Sequence, residues 1–488
     1  MSSHTPTLSA GGWTVDGRLG ALERGGLAAP ILALGLFIAL SALFRPILPP
    51  DETRYLTVAW EMVRSGDFVL PTVNGVLYDQ KPPLLLWLID AVWQITGPNR
   101  AGALLTVFLI SSASVVLSRR LAQEVFPGEA ALHRRIGWAM VGNAVFAIYS
   151  GLVLFDLLMT CGVLIALIGL LTHARRRRLS SLALAGLGIA LSLLAKGPAG
   201  LLFLVPIVLA YPLWREERHC LSTGAFLLAG LAALLLGILL TGIWLVPAFI
   251  ASDGAYLKGL IFDQMAGRIS GTMRASHHRA VWFYLPLLPL FALPWLASPV
   301  VWRRHAETLR KPGPALKSVW LRRPAVRLLV VAIVVPIALF SAVGGKQPHY
   351  LVPLIPFVAI GSALALRDIP LRLIASGAGI VLSILVAAQA LGQATVLARY
   401  DLTPLARLVA RWQGPVAFAG TYQGELGFLA GLTAPLAVVP LSEAASWLER
   451  HPDGLLVSSE WKTGDQVPGR LVLDRPFETK QRMTASIP

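Results

Sequence analysis

The apolar residues of this 488-residue chain are gathered into long blocks separated by short polar turns, not spread at the period of a half-buried helix or strand. Each block is close to the roughly 20 residues that cross about 30 Å of hydrocarbon as a helix. They fall at about 28–48, 101–118, 136–150, 152–172, 180–195, 199–214, 223–250, 282–302, 325–343, 350–366 and 370–396. Eleven spans are therefore expected, with room for more because 223–250 exceeds one crossing. A weaker stretch, 83–96, contains Asp90 and Gln94 and follows Pro82-Pro83. It reads as an interfacial helix lying along a membrane surface. From about 397 the hydropathy falls. Val416–Ala419, Ala437–Val439 and Gly454–Val457 read as short strands, and 402–412 and 441–450 as helices, the second closed by Pro452-Asp453-Gly454. The expected organisation is an N-terminal segment 1–27, an all-α polytopic membrane domain 28–396, and a small α/β domain 397–488. No strong internal repeat is present.

Composition agrees. The chain is 55% hydrophobic and only 14% charged, against about 25% charged in soluble domains. The block after Arg18 and Arg24 lacks a small-residue cleavage site and reads as a retained span. Cys161 falls inside a span and Cys220 beside a basic loop, so neither a disulfide nor a cysteine metal site is expected.

A net charge of +16 invites a nucleic-acid reading, but the basic residues cluster at the ends of apolar blocks. Loops 119–135, 173–179, 215–222, 303–327 and 367–372 hold 20 Lys/Arg against 6 Asp/Glu. The opposite set, 45–100, 150–156, 196–198, 251–281 and 344–350, holds 11 basic and 9 acidic residues. The positive-inside rule puts the first set in the cytoplasm and the second set, with the tail, outside. The outer loops 45–100 and 251–281 are long and mixed in charge, so the chemistry is expected on the outer face of a bacterial inner membrane.

Candidate residues sit where the chain leaves the hydrocarbon. Asp51, Glu52 and Arg54 follow the first block. They form either an interfacial cap of charge or a site where a carboxylate accepts a proton from a hydroxyl. Lys81, in Tyr78-Asp79-Gln80-Lys81-Pro82-Pro83, is either a snorkelling anchor or a point charge for a lipid phosphate. Asp156 begins a span, where a charge is costly and marks function or a buried partner. Lys196-Gly197-Pro198 and Lys346-Gln347-Pro348-His349-Tyr350 are outer turns whose cations suit an anion. Loop 251–281 adds Asp263, Gln264, Arg268, His277 and His278 before Trp282-Phe283-Tyr284. No Gly-rich nucleotide loop accompanies them.

In this order the pieces resemble the bacterial aminoarabinose transferases, lipid A-modifying members of the protein-mannosyltransferase-like GT-C class. The resemblance runs from Asp51-Glu52-x-Arg54-Tyr55 through Glu61-Met62, Pro71-x-x-Asn74-Gly75 and Tyr78-x-x-Lys81-Pro82-Pro83-Leu84. It continues through Asp156, Lys196-Gly197-Pro198, the His277/His278–Tyr284 segment and Lys346-x-Pro348-His349-Tyr350, covering most of 45–360. It implies a GT-C fold with 11–13 spans, surface-lying helices in the first outer loop, and an inverting glycosyltransferase. The donor would be a polyprenyl-phosphate sugar and the acceptor lipid A, another glycolipid or a glycan. By resemblance Asp51 and Asp156 are catalytic, and Arg54, Tyr78, Lys81 and Tyr350 bind the carrier phosphate. Glu52, Lys196, Arg268, Lys346 and His349 are further candidates for substrate. The family holds zinc through a glutamate at position 80 and a histidine matching His277. Here position 80 is Gln80, a poorer ligand, so zinc is not expected as a firm cofactor.

Two rivals belong to other classes. A transporter or flippase predicts repeated halves and charges deep within spans. A non-catalytic polysaccharide-assembly scaffold has no need of Asp51, Lys81, Asp156 and Tyr350 together.

Overall fold

A computed structural model describes residues 26–260, 279–299, 302–303 and 323–488. Arg268, His277 and His278 lie outside these residues, as do Asp263, Gln264 and most of the segment 1–27. The membrane part is built from α1 (Ala28–Phe44), α2 (Asp51–Ser65), α3 (Leu84–Thr96), α4 (Arg100–Val125), α5 (Ala130–Val141), α6 (Ala144–Ser150), α7 (Asp156–Arg176), α8 (Leu179–Lys196), α9 (Leu201–Leu209), α10 (Thr223–Ala251), α11 (Pro324–Ala342), α12 (Ile355–Ala365) and α13 (Leu371–Gly392). Among the described residues, seven helical stretches are long and apolar enough to cross a membrane. The chain is a multi-pass membrane protein.

Most expected blocks are helices at nearly the expected bounds, and some differ for physical reasons. The block 136–150 is broken into α5 and α6 at Gly142-Asn143. There the Asn143 side chain caps α6 by accepting from the Phe146 N–H (3.0 Å) and donates to the Phe291 carbonyl (2.7 Å). The block 223–250 is one helix, α10, not two. The block 282–302 begins as a 3-10 turn over Val281–Leu287 around Pro286.

At the centre lies the antiparallel pair α7 and α8. Gly162 and Gly169 let the backbones approach closely. A Cβ at either would stand 2.6 Å from a backbone nitrogen of α8, that of Ser192 or Ala185, the small-residue contact that membrane helices use in place of a hydrophobic driving force. Because the pair is antiparallel, the first residue of α7 and the last of α8, Asp156 and Lys196, meet at one end. Some 20 residues along α7, about 30 Å away, the other end is basic. There Arg175 bonds Glu124 at 2.5 Å and Arg218 donates to the Val125 carbonyl at 3.1 Å.

Helix α2 is amphipathic. Asp51 and Glu52 in its first turn suit the positive end of its dipole, and Gly66 ends it in the left-handed region (φ 72°), its N–H donating to Met62 O. A small hairpin follows, β1 (Thr72–Val73) with β2 (Val76–Leu77), turned at Asn74-Gly75. Beyond α13 come α14 (Thr403–Arg411), β3 (Val416–Ala419), β4 (Ala437–Val439), α15 (Ala444–Arg450), β5 (Leu455–Lys462), β6 (Arg470–Phe477) and β7 (Gln481–Ile487). The sheet order is β4-β3-β5-β7-β6, parallel across β4-β3-β5 and antiparallel thereafter. The three expected strands are present, and β6 and β7 extend the sheet beyond them.

Candidate active site

One chamber of about 350 Å³ gathers most of the candidate residues. Asp51, Arg54, Gln80, Lys81, Asp156, Lys196, Lys346, His349 and Tyr350 line it, with Tyr55, Gln347 and Gln423 among the others. Residues from six separate segments thus converge at the end of α7 remote from the basic cluster.

The two aspartates differ in their surroundings. Asp51 stands on the first turn of α2 with its side chain 47% exposed, 3.7 Å from Arg54. The Tyr55 hydroxyl donates to its Oδ1 at 3.3 Å. Burial, aided by Tyr78 and the Asp51 charge, holds the Tyr55 phenol well above its ordinary pKa, so it stays a neutral donor. Asp156 is only 3% exposed and its Oδ1 accepts from Lys196 Nζ at 2.6 Å. Asp51 is therefore open to a ligand, while Asp156 is paired with a lysine.

Glu52, next to Asp51 in sequence, does not line the chamber. Arg45 Nη1 and Nη2 donate to it at 2.6 and 3.1 Å, and it accepts the Leu48 and Val153 N–H groups at 3.0 and 2.9 Å. It is the buried clasp between the end of α1, the start of α2 and the 151–153 turn. Tyr78 is also buried and lines neither this chamber nor its neighbour. Lys346 lines the chamber and ties its own turn down, donating to Val343 O (2.5 Å) and Arg279 O (3.0 Å).

A second cavity of about 260 Å³ adjoins the first and shares Gln80, Lys81, Lys196, Gly345 and Tyr350 with it. The rest of its wall is apolar, including Pro82, Met159, Leu202, Phe340 and Val343. At the junction Lys196 Nζ stands 5.5 Å over the Tyr350 ring, within cation–π range. The site thus has a polar chamber, an apolar groove and two lysines where they meet. Arg54 lines the chamber alone, so Lys196 is nearer than Arg54 to the mouth of the groove.

The residues present do not fit a zinc ion at position 80. Gln80 Oε1 accepts from Arg54 Nη1 at 2.6 Å, so a metal against that oxygen would face a guanidinium. Among the described residues no cluster of three or more His, Cys, Asp or Glu could hold a metal.

Sequence reasoning missed Gln347 and Gln423. Gln347 lay inside a motif already singled out. Gln423 carries no local signal, because it reaches the chamber from the C-terminal sheet region.

The arrangement has counterparts. Residues 80–244 match the family described as dolichyl-phosphate-mannose-protein mannosyltransferase. The chain is 32% identical over 346 residues to the undecaprenyl phosphate-alpha-4-amino-4-deoxy-L-arabinose arabinosyl transferase of Pseudomonas aeruginosa. It is 30% identical over 347 residues to the enzyme of that name from Pseudomonas paraeruginosa. Both matches cover 69% of this chain and 59% of the relative, so the chain spans about three-fifths of the length of these curated relatives. The fold superposes on the crystal structure of ArnT from Cupriavidus metallidurans bound to undecaprenyl phosphate. The TM-score is 0.74, over 97% of this chain and 98% of that one, at 16% identity. The fold is of the GT-C type. In sequence the chain is similar to the aminoarabinose transferases over 69% of its length.

Proposed function

We propose that this chain transfers a sugar from a polyprenyl-phosphate donor to an envelope acceptor, such as lipid A or another glycolipid, on the periplasmic face of the bacterial inner membrane. One observation carries the reading: a polar chamber passes into an apolar groove across Lys81, Lys196 and Tyr350. An amphiphile with an anionic head and a hydrocarbon tail has that division of chemistry. The polyprenyl chain lies in the groove, its phosphate meets the two lysines, and its sugar projects into the chamber beside Asp51. The relatives are named for an undecaprenyl-phosphate sugar, and ArnT was crystallised with undecaprenyl phosphate.

The reaction breaks the bond between the sugar's anomeric carbon and the phosphate oxygen, whose electron pair leaves with the polyprenyl phosphate. Lys81, Lys196 and the Tyr350 hydroxyl stabilise the growing charge on that leaving group, which needs no general acid. An acceptor oxygen attacks the anomeric carbon from the opposite face, inverting it. Asp51 orients that oxygen and, if it is a hydroxyl, takes its proton. Asp156 holds Lys196 in place. No step uses a metal.

Mass spectrometry of envelope glycolipids tests this in cells carrying wild type, Asp51→Asn or no copy of the chain. Loss of the same sugar-mass increment in the mutant and the deletion is expected. Wild-type glycolipids in the Asp51→Asn cells would overturn the mechanism in favour of transport or scaffolding.

A further inference from the structure

The C-terminal sheet region reaches the chamber through a single docked loop. Thr57 on α2 donates to the Gly424 carbonyl (2.7 Å) and accepts from the Phe428 N–H (2.9 Å). Trp60 Nε1 donates to Leu432 O (2.9 Å). The Asn74 amide, at the hairpin tip, pairs with the Leu436 backbone at 2.7 and 3.0 Å. Phe428 stacks on Trp93 of α3 with centroids 5.3 Å apart. These contacts fix residues 424–436 against the first outer loop.

The close approach depends on Gly424. Its φ is +89°, and a Cβ there would stand 3.2 Å from Arg54 Cα and 2.9 Å from Val73 Cγ2. Its neighbour Gln423 thereby comes beside Arg54. The Gln423 N–H donates to the buried Glu425 carboxylate at 2.7 Å, so its backbone is set. Its side-chain amide has no hydrogen-bond partner among the described residues, although Gln423 lines the chamber. No other residue of the chamber wall comes from beyond position 350.

Position within the chamber narrows what Gln423 meets. The carrier end is marked by the residues shared with the apolar groove. Gln423, Asp51 and Arg54 line the chamber and not the groove. We infer that Gln423 is an acceptor-recognition residue, its amide hydrogen-bonding a hydroxyl or phosphate oxygen of a carbohydrate-bearing acceptor as that acceptor meets Asp51. An amide offers two donors and a two-lone-pair acceptor without adding charge. The inference rests on the transferase reading and assigns the C-terminal region a part in choosing the acceptor.

The test uses the purified full chain in detergent, with glycolipid extract from the deletion strain as acceptor and its native polyprenyl-linked sugar pool as donor. Gln423→Ala and the isosteric Gln423→Glu are expected to raise the acceptor concentration for half-maximal transfer by about 5–10-fold, the loss of one hydrogen bond. The donor dependence and the binding of undecaprenyl phosphate should remain at wild-type values. Unchanged acceptor dependence overturns the inference, as does loss of undecaprenyl-phosphate binding in both variants, which would mark a structural role. If the wild type itself fails to bind undecaprenyl phosphate, the transferase reading falls first and this inference with it.

Discussion

Lys196 Nζ lies 2.6 Å from Asp156 Oδ1, joining the last residue of α8 to the first of α7, with both side chains under 10% exposed. The lysine is thereby pinned at the junction of chamber and groove. Removing one partner leaves an uncompensated charge in a nearly buried position. Asp156→Asn should lower unfolding stability in detergent by about 3 kcal/mol. The double change Asp156→Asn with Lys196→Gln should cost less than the sum of the two single changes. Thermal unfolding of the four proteins closes the cycle. Additive losses would mean the pair does not couple.

Carrier binding and chemistry should separate. Lys81→Ala and Lys196→Ala are each expected to weaken undecaprenyl-phosphate binding by roughly 10-fold or more, the value of a hydrogen bond to a charged group. Asp51→Asn should bind the lipid normally and lose transfer by about 100-fold or more. Titration of purified protein with undecaprenyl phosphate, beside a transfer assay, gives both numbers.

Glu425 makes a pH signature. Burial raises its pKa from 4.5 to about 6, so the folded chain holds this proton more tightly than the unfolded chain does. Its contribution to stability is whole below pH 4.5 and is lost as the pH rises through 6, a change of about 2 kcal/mol. Glu425→Gln removes the titration, so its stability relative to wild type should rise across that window. Melting temperatures from pH 4 to 8 read the difference. A constant offset would show that Glu425 does not titrate there.

Gly424→Ala tests the docked loop. A side chain at φ +89° costs about 1–3 kcal/mol, and its Cβ would press on the Arg54 backbone. Faster proteolysis within 397–488 and reduced transfer are expected, with Lys81 and Lys196 still able to bind carrier lipid. Wild-type proteolysis would mean that the loop accommodates the methyl group.

The legible part of the site follows one physical rule. Asp51, Lys81, Asp156, Lys196 and Lys346 are charges at the ends of apolar blocks, where burial is expensive enough to need a reason. Their convergence follows from helix ends sharing one side of a bundle. Glu52 looked equivalent to Asp51, but successive helical residues turn by about 100°, which carries it to Arg45 and away from the chamber. The break at Gly142-Asn143 was hidden because its cause is a tertiary bond to Phe291. β6 and β7 were hidden because Asp474, Arg475 and Arg482 interrupt their alternation; Arg482 bonds Asp474 across these two strands. Gln423 was least legible of all, since nothing local distinguishes it from any exposed amide.

The docking of Gly424 on Thr57 joins residues 367 positions apart, and this separation has a temporal consequence. A chain made from its N-terminus at about 5–20 residues per second displays Lys81 and Lys196 tens of seconds before the last wall of the chamber exists. During synthesis the half-built protein has the wall shared by chamber and groove before it has the wall that carries Gln423. On the transferase reading proposed above, a prematurely terminated copy would have the carrier lysines without the wall that carries Gln423.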